Sequence, residues 1–338
     1  MSTPTVNKRL KDKVIRPYQR LTSKWLNVET TKNIIWSFVR TFLIVGLSFV
    51  ILYPIFLKLS IAFKHKDDIY DPTVVYIPKH FTLENFQYVI ETMNYLQVLV
   101  QSFFLSGGTM ILTTIACALA GYGFARFKFK GRNLLFALVI LTILVPPQTI
   151  MVPTYINYRD FDILGIIGLF QSGQGINLIG TYWPFIISSI TGMGLKAGLF
   201  IFIFRQFFRG FPKEIEEAAE VDGAGVFRTF FTIMLPNAVP AIITVMLFSF
   251  VWQWNDIFYT TMFLDNARVM SMQLQTVGAT IAHQISTQSG GGVGGVDPFY
   301  VSMLVNTSIL LAILPLIILY LFVQRHFVES VERTGVVG

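Results

Sequence analysis

Apolar residues in this chain neither alternate nor recur on one helical stripe; they run on for the width of a bilayer. About 20 residues of helix cross the roughly 30 Å of hydrocarbon in a membrane. Six segments reach that length with at most two charged residues each: about Ser37–Ile61, one within Thr92–Ala125, one within Asn133–Tyr158, then about Tyr182–Phe204, Ala238–Phe258 and Tyr300–Val323. Membrane β-strands would instead alternate polar and apolar positions over about ten residues. The pattern therefore predicts an all-α membrane protein, a six-transmembrane-helix bundle over 37–323. Flanking it are a basic tail, 1–36, and a short C-terminal tail, 324–338.

Composition agrees. Of the 338 residues 53% are hydrophobic and 13% charged, about half the charge of a soluble domain, and mean hydropathy is +0.60. Soluble, disordered, collagen-like and coiled-coil classes are excluded. The single cysteine, Cys117, forms no internal disulfide, and no C-x-x-C or His-rich spacing suggests a metal. A net charge of +7 raises nucleic acid as a partner, but the positions of the charges argue for membrane topology. Eight of the 26 Lys and Arg residues precede residue 33. The loops 126–132 and 205–236 and the tail after Gln324 hold many others. The opposite side carries Lys64, Lys66, Lys79, Arg159 and Arg268 against more numerous acids. The positive-inside rule then puts both termini in the cytoplasm. The first segment has no small-residue cleavage site, so it is expected to stay as an anchor.

One charged, periodic stretch interrupts the apolar chain between the fourth and fifth segments: Phe211-Pro212-Lys213-Glu214-Ile215-Glu216-Glu217-Ala218-Ala219-Glu220-Val221-Asp222-Gly223-Ala224-Gly225. Pro212 suits a first helical turn, the glutamates complement its positive end, and Gly223 can end it in a left-handed conformation. Ile215, Ala218, Ala219 and Asp222 fall on one face, whose small side chains permit close approach. A second short helix follows, with Phe227, Phe230, Phe231 and Met234 on one stripe and Pro236 and Pro240 leading into the fifth segment. By periodicity alone this is either an interfacial loop or a docking element.

The residues Glu217-Ala218-Ala219, then Asp222-Gly223-Ala224, then Leu235-Pro236 resemble the EAA loop of ABC importer permeases, with every fixed position of that pattern present. With that loop aligned, the chain is similar to the MalG-type permeases of carbohydrate importers over most of its length. Supporting stretches are Phe81–Phe86, Ala120–Arg126, Val145-Pro146-Pro147 with Val152-Pro153, Phe204–Phe208 and Gln324–Phe327. The N-terminal tail and the segments 161–181 and 265–298 look longer than usual for the family.

The resemblance implies a type I ABC importer permease in the plasma (inner) membrane of a prokaryote, importing a carbohydrate, with an oligosaccharide as the expected form. It implies a second homologous permease subunit, two copies of a cytoplasmic ABC ATPase and an extracellular sugar-binding protein. Carried over by position, Glu217, Ala218, Ala219, Asp222, Gly223 and Pro236 are the ATPase-coupling residues. No G-x-x-x-x-G-K-[ST] motif occurs in the chain, so ATP and Mg are expected in the partner ATPase, with no cofactor and no enzymatic activity here. The glycine cluster 290–295 reads either as a flexible linker in an outer loop or, with the rest of 265–298, as a segment reaching toward the binding protein.

Polar side chains at bilayer depth are costly and mark function. Trp252, Gln253, Trp254, Asn255, Asp256 and Lys196 are the candidates for a substrate path, since aromatic faces stack on sugar rings while amides and carboxylates bond hydroxyls. The other reading sets Asn255 and Asp256 at the outer interface with the tryptophans as belt residues, and has Lys196 either snorkelling or marking the outer start of a shorter fourth helix. An ion-coupled secondary transporter is the competing function. It calls for internal repeats and paired acids within the spans, and apart from Asp256 those are missing. An intramembrane enzyme would need a G-x-S-x-G or H-E-x-x-H motif, neither of which is present.

Overall fold

A computed structural model gives the architecture and describes residues 28–163, 165–170, 174–264, 267–288 and 296–335. Most of the basic tail and the glycine cluster lie outside these. Among the described residues the chain is helical, with two isolated β-bridges and no strand. It divides into two units, one ending at Ile61 and one beginning at Ala62.

The first unit contains nearly all of α1, Val28–Ala62, whose part from Thr31 includes an 18-residue window with a mean hydropathy of 2.3. The helix starts earlier than the apolar run, since no Pro or Gly lies between Val28 and Ser37.

The second unit opens with a side-chain staple from the first turn of α2 (Glu84–Met93) back to residues 62 and 64. Asn85, in that turn, donates from Nδ2 to the carbonyls of Ala62 and Lys64 at 2.9 and 2.7 Å. Thr82 Oγ1 accepts from the Glu84 amide, capping the helix. The long α3 (Tyr95–Arg126) then runs unbroken, with two of its buried hydroxyls returned to its own backbone: Ser102 to Val98 O and Thr109 to Leu105 O.

The next apolar runs do not continue straight. Between α4 (Arg132–Leu144) and α5 (Pro147–Arg159) the chain bends by 104°, because Pro146 and Pro147 lack amide donors and hold the backbone extended. A short α6 (Ile166–Phe170) follows. The fourth predicted span is corrected: Tyr182–Phe204 is two helices, α7 (Trp183–Ile190) and α8 (Ala197–Arg209). Gly192 and Lys196, with φ of 68° and 59°, turn the chain between them. Helix α9 (Glu214–Val221) is the short helix expected in the charged loop. After it come α10 (Val226–Thr229), a π-helical turn over Phe230–Met234, α11 (Leu235–Asn237) and α12 (Val239–Trp254), with a 78° bend before α12.

Beyond the short α13 (Phe258–Phe263), the expected outer loop holds a 19-residue helix, α14 (Met270–Gln288). Its Met270, Val277 and Ile281 are buried, with Leu274 and Ile285 packed beside them, a stripe diluted by polar residues and so invisible to hydropathy. The last helix, α15, spans Pro298–Gly335. Among the described residues three helices can cross a membrane by length and composition, or up to five spans if each bent pair counts as one. The expected count of six is therefore not reached on this criterion.

The core sits where α3, α8 and α12 meet. Phe200, Phe204 and Phe208 recur every fourth residue along α8 and are fully buried. Gly121 lets α3 approach them: a Cβ there would lie 2.5 Å from the Phe204 Cβ and 3.0 Å from the Arg205 amide nitrogen. A second cluster joins α2, α3, α12, α14 and α15.

Candidate functional site

Helix α9 ends in a fully formed Schellman closure. Gly223 takes a φ of 78°, its amide donates to Glu220 O at 3.0 Å, and the Ala224 amide donates to Ala219 O at 2.9 Å. Ala219 is buried against the protein itself, whereas Glu217, Ala218, Asp222 and Gly223 face outward with Val221, which is 87% exposed. The expected small-residue face is thus divided, Ala219 toward its own chain and Ala218 toward solvent. The aromatic stripe is divided too: Phe230 and Met234 are buried, Phe227 and Phe231 exposed. Pro236 lies exposed in α11, just before the bend into α12.

What holds α9 in place is Arg126, the last residue of α3. Its Nη2 donates to Phe211 O at 2.7 Å, and its Nε lies 3.3 Å from Glu216 Oε2. The side chains are 7% and 15% exposed. Arg126 Nε and Glu216 Oε1 have no hydrogen-bond partner among the described residues, so the contact is an ion pair without good hydrogen-bond geometry. These two contacts tie the start of the charged loop and α9 to the end of α3. Sequence reasoning missed them: Arg126 read as a topological anchor and Glu216 as a helix-dipole residue.

At mid-length of α3 lies a cavity of about 390 Å³ bounded also by α5, α7, α12 and α13. Thr109 and Thr113 of α3, Ser189 of α7, and Ser249 and Gln253 of α12 all line it and are all buried. Gln253 Nε2 has no partner among the described residues. Tyr158, Phe185, Tyr259 and Phe263 supply ring surface. Hydroxyl and amide groups gathered around aromatic faces at mid-helix can bind a polar solute inside a membrane.

The candidates at 252–256 do not share one cavity wall. Gln253 alone of them lines this cavity. Trp252 packs on Phe200 and Phe248, and Trp254 stacks on Phe250 with its edge to Phe103. Asn255 is exposed and donates to Val251 O at 2.8 Å. Asp256, 7% exposed, accepts from the amide and hydroxyl of Thr260, both at 2.9 Å, and so caps α13. Lys196 lines a neighbouring cavity, its ammonium 6.0 Å from the Trp252 ring centroid. The hydroxyls at 109, 113, 189 and 249 went unremarked in the sequence, although Thr109 with Thr113 and Ser249 with Gln253 stand one helical turn apart.

Apolar helices long enough to cross a membrane, a polar chamber at mid-helix and a self-capped helix tied to one end of a long apolar helix are the features of a helical membrane protein with an internal polar site. Residues 113–333 match the family described as binding-protein-dependent transport system inner membrane component, and the chain belongs to that family. It is 29% identical over 318 residues to the probable ABC transporter permease protein YurM of Bacillus subtilis, covering 93% of this chain and 91% of that one. The arabinooligosaccharides transport system permease protein AraQ of Halalkalibacterium halodurans is 26% identical, covering 86% and 93%. The melibiose/raffinose/stachyose import permease protein MelC of Bacillus subtilis is 28% identical, covering 84% and 91%. Among solved structures, a chain of a bacterial ABC transporter involved in import of the acidic polysaccharide alginate shares the fold. Its TM-score is 0.68 at 20% identity, over 88% of this chain and 98% of that one.

Proposed function

We propose that this chain is the permease of an ATP-driven importer that carries a carbohydrate, an oligosaccharide as for AraQ and MelC, across the plasma membrane of a prokaryote. The observation that carries the reading is α9: a rigid, capped helix presenting Glu217, Ala218, Asp222 and Gly223 outward while clamped through Arg126 to a long helix that lines a polar chamber. A groove on a cytoplasmic ATPase receives such a helix, and a rigid-body movement of the ATPase is passed along α3 to the chamber. ATP and Mg belong to that partner, present in two copies. A second, homologous permease completes the pathway, an extracellular sugar-binding protein delivers the solute, and both termini of this chain lie in the cytoplasm.

The test is mass spectrometry of the complex that co-purifies with the chain in mild detergent, for wild type and for a Gly223→Pro, Ala218→Glu double variant. An ABC ATPase and a second permease are expected with wild type, and loss of the ATPase with the variant. Recovery of the chain alone, unaffected by the variant, points to an ion-coupled transporter. Two copies of this chain in an active complex would refute the heterodimer.

A further inference from the structure

The chamber between α3, α5, α7, α12 and α13 has a chemical character that says what it takes. Among the described residues its lining contains no Asp, Glu, Lys, Arg or His. What it offers is uncharged: the Gln253 amide, 6% exposed and unpartnered at Nε2, with the hydroxyls of Thr113, Ser189 and Ser249. Two of these hydroxyls converge: a Cβ placed on Gly194 would lie 3.3 Å from Thr113 Oγ1 and 3.5 Å from Ser189 Oγ. A buried amide N–H left without an acceptor has a standing free-energy penalty that a ligand oxygen removes.

We infer that this chamber is a saccharide subsite in this subunit, selective for neutral sugar units over uronic acids. The inference rests on the importer reading and deepens it by naming the substrate class. Amide and hydroxyl groups both donate and accept, which matches a sugar hydroxyl that does the same. Apolar faces of a pyranose ring find Tyr259 and Phe263 in the same wall. A carboxylate is different: moved from water into this chamber it loses hydration and meets no cation in the lining to compensate. Lys196 faces the adjoining cavity of about 350 Å³, with its ammonium over the Trp252 ring.

The chain offers a clean reporter. Its single cysteine, Cys117, is fully buried, so a thiol introduced in the chamber is the accessible one. Thr154 lines the chamber with its hydroxyl already bonded to Ile150 O at 2.6 Å, so Thr154→Cys sacrifices no free donor. In the complex purified through this chain, modification of that thiol by a small methanethiosulfonate reagent is followed with raffinose, maltotriose, arabinotriose or trigalacturonate present. At least one neutral trisaccharide is expected to slow modification roughly tenfold at ten times its half-protecting concentration, with trigalacturonate ineffective. Adding Gln253→Leu is expected to raise that concentration roughly tenfold.

Protection by trigalacturonate equal to that by the neutral sugars overturns the selectivity. Absence of protection by every neutral sugar, or protection indifferent to Gln253→Leu, overturns the subsite. The complex itself separates the two readings. If the ATPase co-purifies while no sugar protects, the subsite falls and the importer stands; if no ATPase co-purifies, the importer reading falls.

Discussion

Replacing Arg126 by alanine tests the clamp between α3 and α9. The substitution removes the guanidinium 3.3 Å from Glu216 Oε2, together with the donor to Phe211 O. It leaves a carboxylate 15% exposed and without a counter-ion. Breaking a buried pair in this one-sided way costs about 3–5 kcal/mol. Two features lower that figure here: Glu216 keeps some contact with water, and Arg126 Nε makes no well-formed hydrogen bond. A cost of about 2–3 kcal/mol follows, borne by the seating of α9 more than by the global fold. Hydrogen exchange of the amides of 216–224 reads it directly, with a rise of roughly 30- to 150-fold expected at 1.4 kcal/mol per decade. Glu216→Gln keeps the shape and removes the charge, so its effect should be about 1 kcal/mol. The Arg126→Ala, Glu216→Gln pair should then cost less than the two changes summed. Unchanged exchange at 216–224 in Arg126→Ala, or strict additivity in the double variant, would refute the clamp.

Three further outcomes follow from the geometry. Gly223→Ala meets open space, so only the left-handed backbone at φ 78° opposes it; a loss of about 1 kcal/mol in the closure of α9 is expected, read by exchange of the Ala224 amide. Gly121→Ala instead brings a Cβ within 2.5 Å of the Phe204 Cβ and 3.0 Å of backbone nitrogen, neither of which can swing away. The two helices must separate at about 1–3 kcal/mol, lowering the melting temperature in detergent. Asp68, 2% exposed, accepts from the His80 amide at 2.8 Å and from His80 Nδ1 at 2.7 Å; those bonds, the backbone one foremost, hold its carboxyl below the usual range. Its contribution is therefore complete above the unfolded value near 3.9 and lost as pH falls through the lower folded value. Proteolysis of the 64–85 segment should rise only below about pH 4, and Asp68→Asn should abolish that step.

The sequence revealed most where the solvent dictates the answer. Hydrocarbon demands an uninterrupted apolar run, so α1, α3 and α15 were legible from run length alone. Run length carries no direction, which is why the breaks at Pro146-Pro147 and at Gly192–Lys196 turned expected spans into bent or separate helices. It is also why α14, whose apolar stripe is set among Gln, Thr and Ser, looked like a loop. Within the site, α9 was legible because its cap and its glycine are local chemistry. The Arg126–Glu216 pair was not, because nothing local links the end of α3 to the charged loop. The candidates at 252–256 are dispersed for a geometric reason: consecutive helical residues point about 100° apart, so Trp252, Gln253 and Trp254 face three ways. A search by turn finds the chamber at once, as Ser249 with Gln253 and Thr109 with Thr113 each place two polar groups on one face of an apolar helix. In hydrocarbon such a pair on a lipid-facing surface gains nothing, so its presence at mid-helix argues that the face looks onto a polar interior.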